Sequence, residues 1–128
     1  MKHIIKIFEK YNQTGYSMYS GITHENWNNI WKNKNLTDRL TNVTSDLDFA
    51  YDYSYNFKTG EYEDVAVEIS DIPIEAFVSY REEDYNDDDD FISMENMSNE
   101  EKENIIEIET LFLVDLYPHV NIIQTKLI

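Results

Sequence analysis

The 128-residue chain is 41% apolar, enough for one domain with its own core, and it carries twenty-six Asp plus Glu against ten Lys plus Arg, a net charge of −16. That charge disfavours nucleic acid, anionic membrane and acidic substrates as partners, and it makes cationic partners attractive at long range. The absence of cysteine excludes disulfides, thiol nucleophiles and thiolate metal sites.

The charge is uneven. Residues 1–44 hold six basic and three acidic side chains, whereas residues 45–128 hold four basic and twenty-three acidic ones. Ten Tyr, six Phe and two Trp supply too much buriable area for a disordered acidic segment, so a folded domain over residues 1–128 is expected.

In chain order, "KHIIKIF" (2–8) is apolar and β-branched enough for a first strand, and residues 12–15 supply turn chemistry before a short strand in "YSMYS" (16–20). The charged start "MKHIIKIFEK" lacks the apolar stretch of a signal peptide, and no run approaches a membrane span, so a cytoplasmic protein is expected. Thr23 is placed as the N-cap of a short helix with Glu25 in its first turn and Trp27, Ile30 and Trp31 on one face. Residues 33–45 show no clear period and read as loop.

Residues 47–57, "LDFAYDYSYNF", alternate apolar and polar side chains and read as a strand, with Phe49, Tyr51, Tyr53 and Tyr55 on its core face. Lys58, Thr59 and Gly60 then form a hairpin loop leading into a return strand, "EYEDVAVEI" (61–69), and "IEAFVSY" (74–80) adds a third strand of a central meander. Ser98 with Glu101 makes a capping box for a longer helix that runs through Ile105, Ile106, Leu111 and Phe112 to Tyr117, where Pro118 stops it. "VNIIQTKL" (120–127) is a closing strand. The expected class is α+β: a mainly antiparallel sheet with a central hairpin or meander, one short N-terminal helix and one longer C-terminal helix.

Catalytic and cofactor motifs are missing from this pattern. Three glycines, Gly15, Gly21 and Gly60, cannot build a phosphate-cradling loop, and His3, His24 and His119 lack metal-ligand spacing. No serine-nucleophile motif is present, and carboxylate pairs are too abundant for any one of them to mark an acid and base. The expectation is a protein without enzymatic activity, cofactor or metal.

The densest charge lies in "REEDYNDDDDF" (81–91), with seven acids in eleven positions. Counted from Asp84, the positions Asn86, Asp88, Asp90 and Glu95 mimic an EF-hand loop, but Asp89 stands where the sharp turn requires glycine and no helix precedes it. A solvated loop is the plain reading of such a run. Acids elsewhere give it company: Glu61, Glu63 and Asp64 beside the hairpin, Asp48 and Asp52, Glu68, Asp71 and Glu75, and Glu100, Glu101 and Glu103 at a helix start. Alternate residues of a strand stand about 6.6 Å apart, of the order of the spacing between successive phosphates of a nucleic-acid strand. Such carboxylates can take the place of phosphates as partners of guanidinium groups. The expected partner-binding surface is therefore Glu61, Glu63, Asp64, Glu82, Glu83, Asp84, Asp87, Asp88, Asp89 and Asp90, with Tyr62 and Tyr85 as aromatic anchors and Tyr80 and Phe91 beside them.

In size, acidity, lack of cysteine and lack of catalytic motifs the chain resembles the small inhibitors of phages and mobile elements, including anti-CRISPR and antirestriction DNA mimics. The resemblance is one of composition, covers no aligned motif and carries over no residue. It implies an inhibitor that occupies the basic nucleic-acid site of a CRISPR effector or restriction enzyme. Two other readings stand beside it, an immunity protein for a cognate toxin nuclease and a calcium-responsive binding module.

Overall fold

A computed structural model describes residues 15–32, 39–82, 91–108, 110–119 and 124–128. The strand expected at residues 2–8, the start of the first turn, and most of the acidic run lie outside them.

The fold is mixed α+β and mostly antiparallel sheet. Seven strands, β1 (Tyr16–Gly21), β2 (Leu40–Thr44), β5 (Ala66–Ile72), β6 (Phe77–Glu82), β7 (Ile92–Ser93), β8 (Thr110–Asp115) and β9 (Gln124–Leu127), form one sheet in the order β7-β6-β8-β2-β1-β5-β9. Every neighbouring pair is antiparallel. A separate two-stranded ribbon joins β3 (Tyr55–Asn56) to β4 (Glu61–Tyr62). The hairpin expected at the centre of the sheet is thus a peripheral ribbon.

Cross-strand registers sort the sheet into two faces. Met18 stands opposite Ile69, Val43 opposite Phe112, and Phe77 opposite Val114; these side chains fill the main core together with Trp31, Val67, Ile72, Met94 and Ile106. Two short helical segments cover this face. In the first, Thr23 Oγ1 accepts from Asn26 N at 3.2 Å, capping α1 (His24–Asn26), which widens into a π-helical turn (Trp27–Trp31) that buries Trp31 completely. In the second, α3 (Asn99–Ile106), Ser98 accepts from the Glu101 backbone at 3.2 Å while the Glu101 carboxylate accepts from Ser98 N, so the capping box is complete. Lys102 on this helix is buried and donates to the Ile74 and Phe77 carbonyls, each at 3.4 Å, which gives the ammonium acceptors inside the core.

The helix expected to continue to Tyr117 stops at Ile106. Residues 111–114 are apolar without interruption because β8 is buried on both sides: Leu111 faces one side of the sheet and Phe112 the other. Residues 40–44, read as loop, form β2, whose buried positions are Thr41, Val43 and Thr44. Two threonines in buried positions hid its alternation.

The largest correction concerns residues 47–57. Asp46 Oδ1 accepts from Asp48 N at 3.0 Å and Phe49 N at 3.4 Å, capping a helix, α2 (Leu47–Tyr51), in place of the expected strand. Its buried Ala50 lies over the sheet face that carries Tyr19, Thr44 and Leu111, where a Cβ on Gly21 would overlap the Ala50 carbonyl. Gly21 therefore admits α2, since any other residue would hold the helix away. The return strand expected over 61–69 is broken at Asp64, whose backbone is left-handed (φ 50°), and β5 begins at Ala66. No helix among the described residues is long and apolar enough to cross a membrane.

Candidate functional site

The described part of the expected surface is the ribbon and its exit. Asn56 Oδ1 accepts from Lys58 N at 2.9 Å and the Asn56 carbonyl accepts from Gly60 N at 2.8 Å, closing the turn with Gly60 at φ 73°, the left-handed conformation glycine adopts without strain. Behind the turn, Glu63 N donates to the Ser54 carbonyl at 3.0 Å and Glu63 Oε2 accepts from Asn56 Nδ2 at 3.0 Å. Glu61 and Asp64 are exposed, whereas Glu63 is half-buried.

Sequence reasoning placed Phe49, Tyr51, Tyr53 and Tyr55 on a core face and Tyr62 on the surface. None of the first four is fully buried, and Tyr53 is 40% exposed; Tyr62 is 59% exposed, and Phe57, at the turn, 91%. Tyr55 holds the group together, edge-on to Phe57 at 5.0 Å and to Tyr62 at 5.1 Å. The ribbon thus presents an aromatic tip beside Glu61 and Asp64, and Lys58 at its turn is paired with Glu25 of α1 at 3.1 Å. Phe57 went unnoticed because it continues the alternation of residues 47–57; the signal that would have located it is the Lys58–Gly60 turn, next to which a side chain stands in solvent. Tyr80, in contrast, packs against the main core and is no surface anchor.

Arg81 Nη2 donates to Tyr53 Oη at 3.3 Å, which ties the end of β6 to the segment between α2 and the ribbon. Glu82, the last residue of β6, stands opposite Thr110 of β8. Glu83, Asp84, Tyr85 and Asp87, Asp88, Asp89 and Asp90 lie outside the described residues, as does most of the EF-hand-like stretch. The remaining acids divide between the faces. Asp46, Asp48 and Asp52 accompany α2 on the ribbon side, and Glu100, Glu101, Glu103 and Glu107 accompany α3 on the opposite face. Among the described residues these two groups of acids do not join in one continuous ridge. Among the described residues no three His, Asp or Glu side chains are grouped to hold a metal ion.

A second feature had no signal in the sequence. β1 pairs along its whole length with β5, and β2 along its whole length with β8, but β1 and β2 meet in one registered pair among the described residues, Tyr19 with Thr44. Past that pair the strands part, and a cleft of about 270 Å³ opens between them under Ala50 and Tyr53. Arg39 reaches into it, with Nε donating to Thr41 Oγ1 at 3.0 Å and the guanidinium lying 4.9 Å over the Trp31 ring. Burial lowers its pKa from the ordinary arginine value, which leaves it charged at any ordinary pH.

No family model, no curated protein and no solved structure matches this chain.

Proposed function

We propose that the protein is a non-enzymatic inhibitor that acts in the cytoplasm by occupying the basic nucleic-acid-binding site of another protein, of the CRISPR-effector or restriction-enzyme kind. The docking surface is the β3–β4 ribbon with Glu61, Tyr62, Glu63 and Asp64, joined by Glu82 and the acidic run that follows it. The observation that carries this reading is the ribbon itself, where exposed carboxylates of Glu61 and Asp64 stand next to the exposed rings of Phe57 and Tyr62. Carboxylates offer guanidinium and ammonium groups the charge-assisted hydrogen bonds that phosphates offer, and rings beside them supply the apolar anchor area that charge alone lacks. An excess of negative charge steers such a protein toward a cationic groove.

The test is capture of partners from host lysate with the full chain, identification by mass spectrometry, and binding measured against salt. Wild-type binding should weaken steeply as salt rises, and nucleic acid should compete for the captured protein. Glu61→Lys combined with Phe57→Ala should weaken binding at least tenfold with the unfolding midpoint retained, and reversal of Asp87, Asp88, Asp89 and Asp90 to lysine should do the same. Affinity unchanged by both variants would overturn the assigned surface. Capture of a toxin nuclease encoded beside the gene would identify an immunity protein using the same surface.

A further inference from the structure

The cleft between β1 and β2 gathers polar side chains around a cation. Its walls carry Ser20, Asn26, Thr41 and Asn42, and the charge within it is the Arg39 guanidinium. Thr41 Oγ1 accepts from Arg39 Nε and the guanidinium carbon lies 4.9 Å over the Trp31 ring, while its two η nitrogens have no carboxylate partner among the described residues. A half-buried guanidinium is strengthened by an oxyanion that matches its fork. The same neighbourhood leaves a donor without an acceptor: the indole N–H of Trp31, fully buried under that guanidinium, has no partner among the described residues. A buried donor without an acceptor is rare and costly, and this one belongs to the ring over which the Arg39 guanidinium lies.

We infer that this cleft is a binding site for a small oxyanion, a carboxylate or a phosphate, received by the η nitrogens of Arg39 with the amides of Asn26 and Asn42 at its walls. The fork of a guanidinium matches two oxygens of either group. A cleft of about 270 Å³ equals the liquid volume of about nine water molecules, which limits the ligand to a small acid or a phosphate monoester. The inference does not depend on the inhibitor reading, whose surface is the ribbon and has the opposite charge.

The experiment uses the full chain and two probes, sodium acetate and inorganic phosphate, each replacing sodium chloride at one fixed ionic strength and pH 7 while thermal unfolding is followed. A saturable rise of the unfolding midpoint is expected in at least one of them, since a ligand that binds only the folded state stabilises it according to its concentration over Kd. A response to acetate alone assigns a carboxylate, to phosphate alone a phosphate, and to both the shared oxyanion chemistry. Saturation separates binding from the unsaturating solvent effect that phosphate exerts on any protein. Arg39→Gln should abolish the response. Should that variant fail to fold, Asn42→Asp, which sets a carboxylate of the chain's own in the cleft wall, should raise the half-saturating concentration about tenfold or more. No saturable response to either probe, or a response untouched in the folded variants, would overturn the site.

Discussion

Both faces of the sheet carry a short helix capped by a polar side chain, Asp46 for α2 and Ser98 for α3, and both helices are acidic in the first turn. Their packing differs. α3 drives Ile106 and Lys102 into the main core, among Phe77, Met94 and Phe112. α2 buries Ala50 alone and passes the chain to a ribbon whose rings stand in solvent. The difference teaches where the apolar area of this chain is used: the α3 face is built for stability, and the α2 and ribbon face holds its aromatics on the surface, where they are open to contact with another molecule.

The strongest way to break that contrast is to truncate one aromatic on each side. Phe112→Ala, at a fully buried site, should cost about 3–5 kcal/mol in denaturant unfolding, whereas Phe57→Ala should stay within about 0.5 kcal/mol. A comparable loss at both would mean that the ribbon tip belongs to the core. A smaller effect separates the helix caps. Ser98→Ala should lower global stability by about 1 kcal/mol, because α3 is tied into the core. Asp46→Ala should speed hydrogen exchange at the Asp48 and Phe49 amides, which lose their acceptor, more than it lowers the global unfolding free energy. Equal global losses would erase the distinction between the two helices.

The smallest effect is a pH dependence on the α3 face. Burial, and after it the carboxylates of Glu103 and Glu107, raise the Tyr16 phenol above the ordinary tyrosine value. The folded state therefore holds this proton more tightly than the unfolded chain does. Its contribution to stability is complete below the unfolded value of about 10 and is lost as pH rises through the folded one. Tyr16→Phe should flatten the alkaline limb of the stability curve measured from pH 8 to 11; an unaltered limb would show that Tyr16 does not contribute to it.

Legibility followed the range of the interactions. Ser98 with Glu101 and the turn ending at Gly60 are set by residues within four positions of one another, and a sequence reading finds such pairs. Residues 47–57 satisfy two periods at once: alternation for a strand, and Leu47, Ala50 and Tyr51 for a helix face. Asp46 supplies the cap, and Gly21, twenty-five residues earlier, supplies the room. The run 105–116 misled for a related reason, since the apolar stretch 111–114 within it suits a helix flank or a strand covered on both faces, and only the neighbours β2 and β6 settle which. Of the candidate surface, Glu61, Tyr62, Glu63 and Asp64 were legible as an acidic hairpin, but Phe57 and Arg39 were assigned no role.

By itself the amino-acid sequence determined the acidity, the lack of cysteine chemistry, the α+β class and the local caps and turns, because composition and contacts between near neighbours need no knowledge of the fold. The tertiary structure alone decided which aromatics are buried, on which face each acidic helix lies, and that β1 and β2 part around Arg39. These depend on pairings between distant segments, and the energy of such a pairing is a property of two surfaces that meet only once the chain has folded.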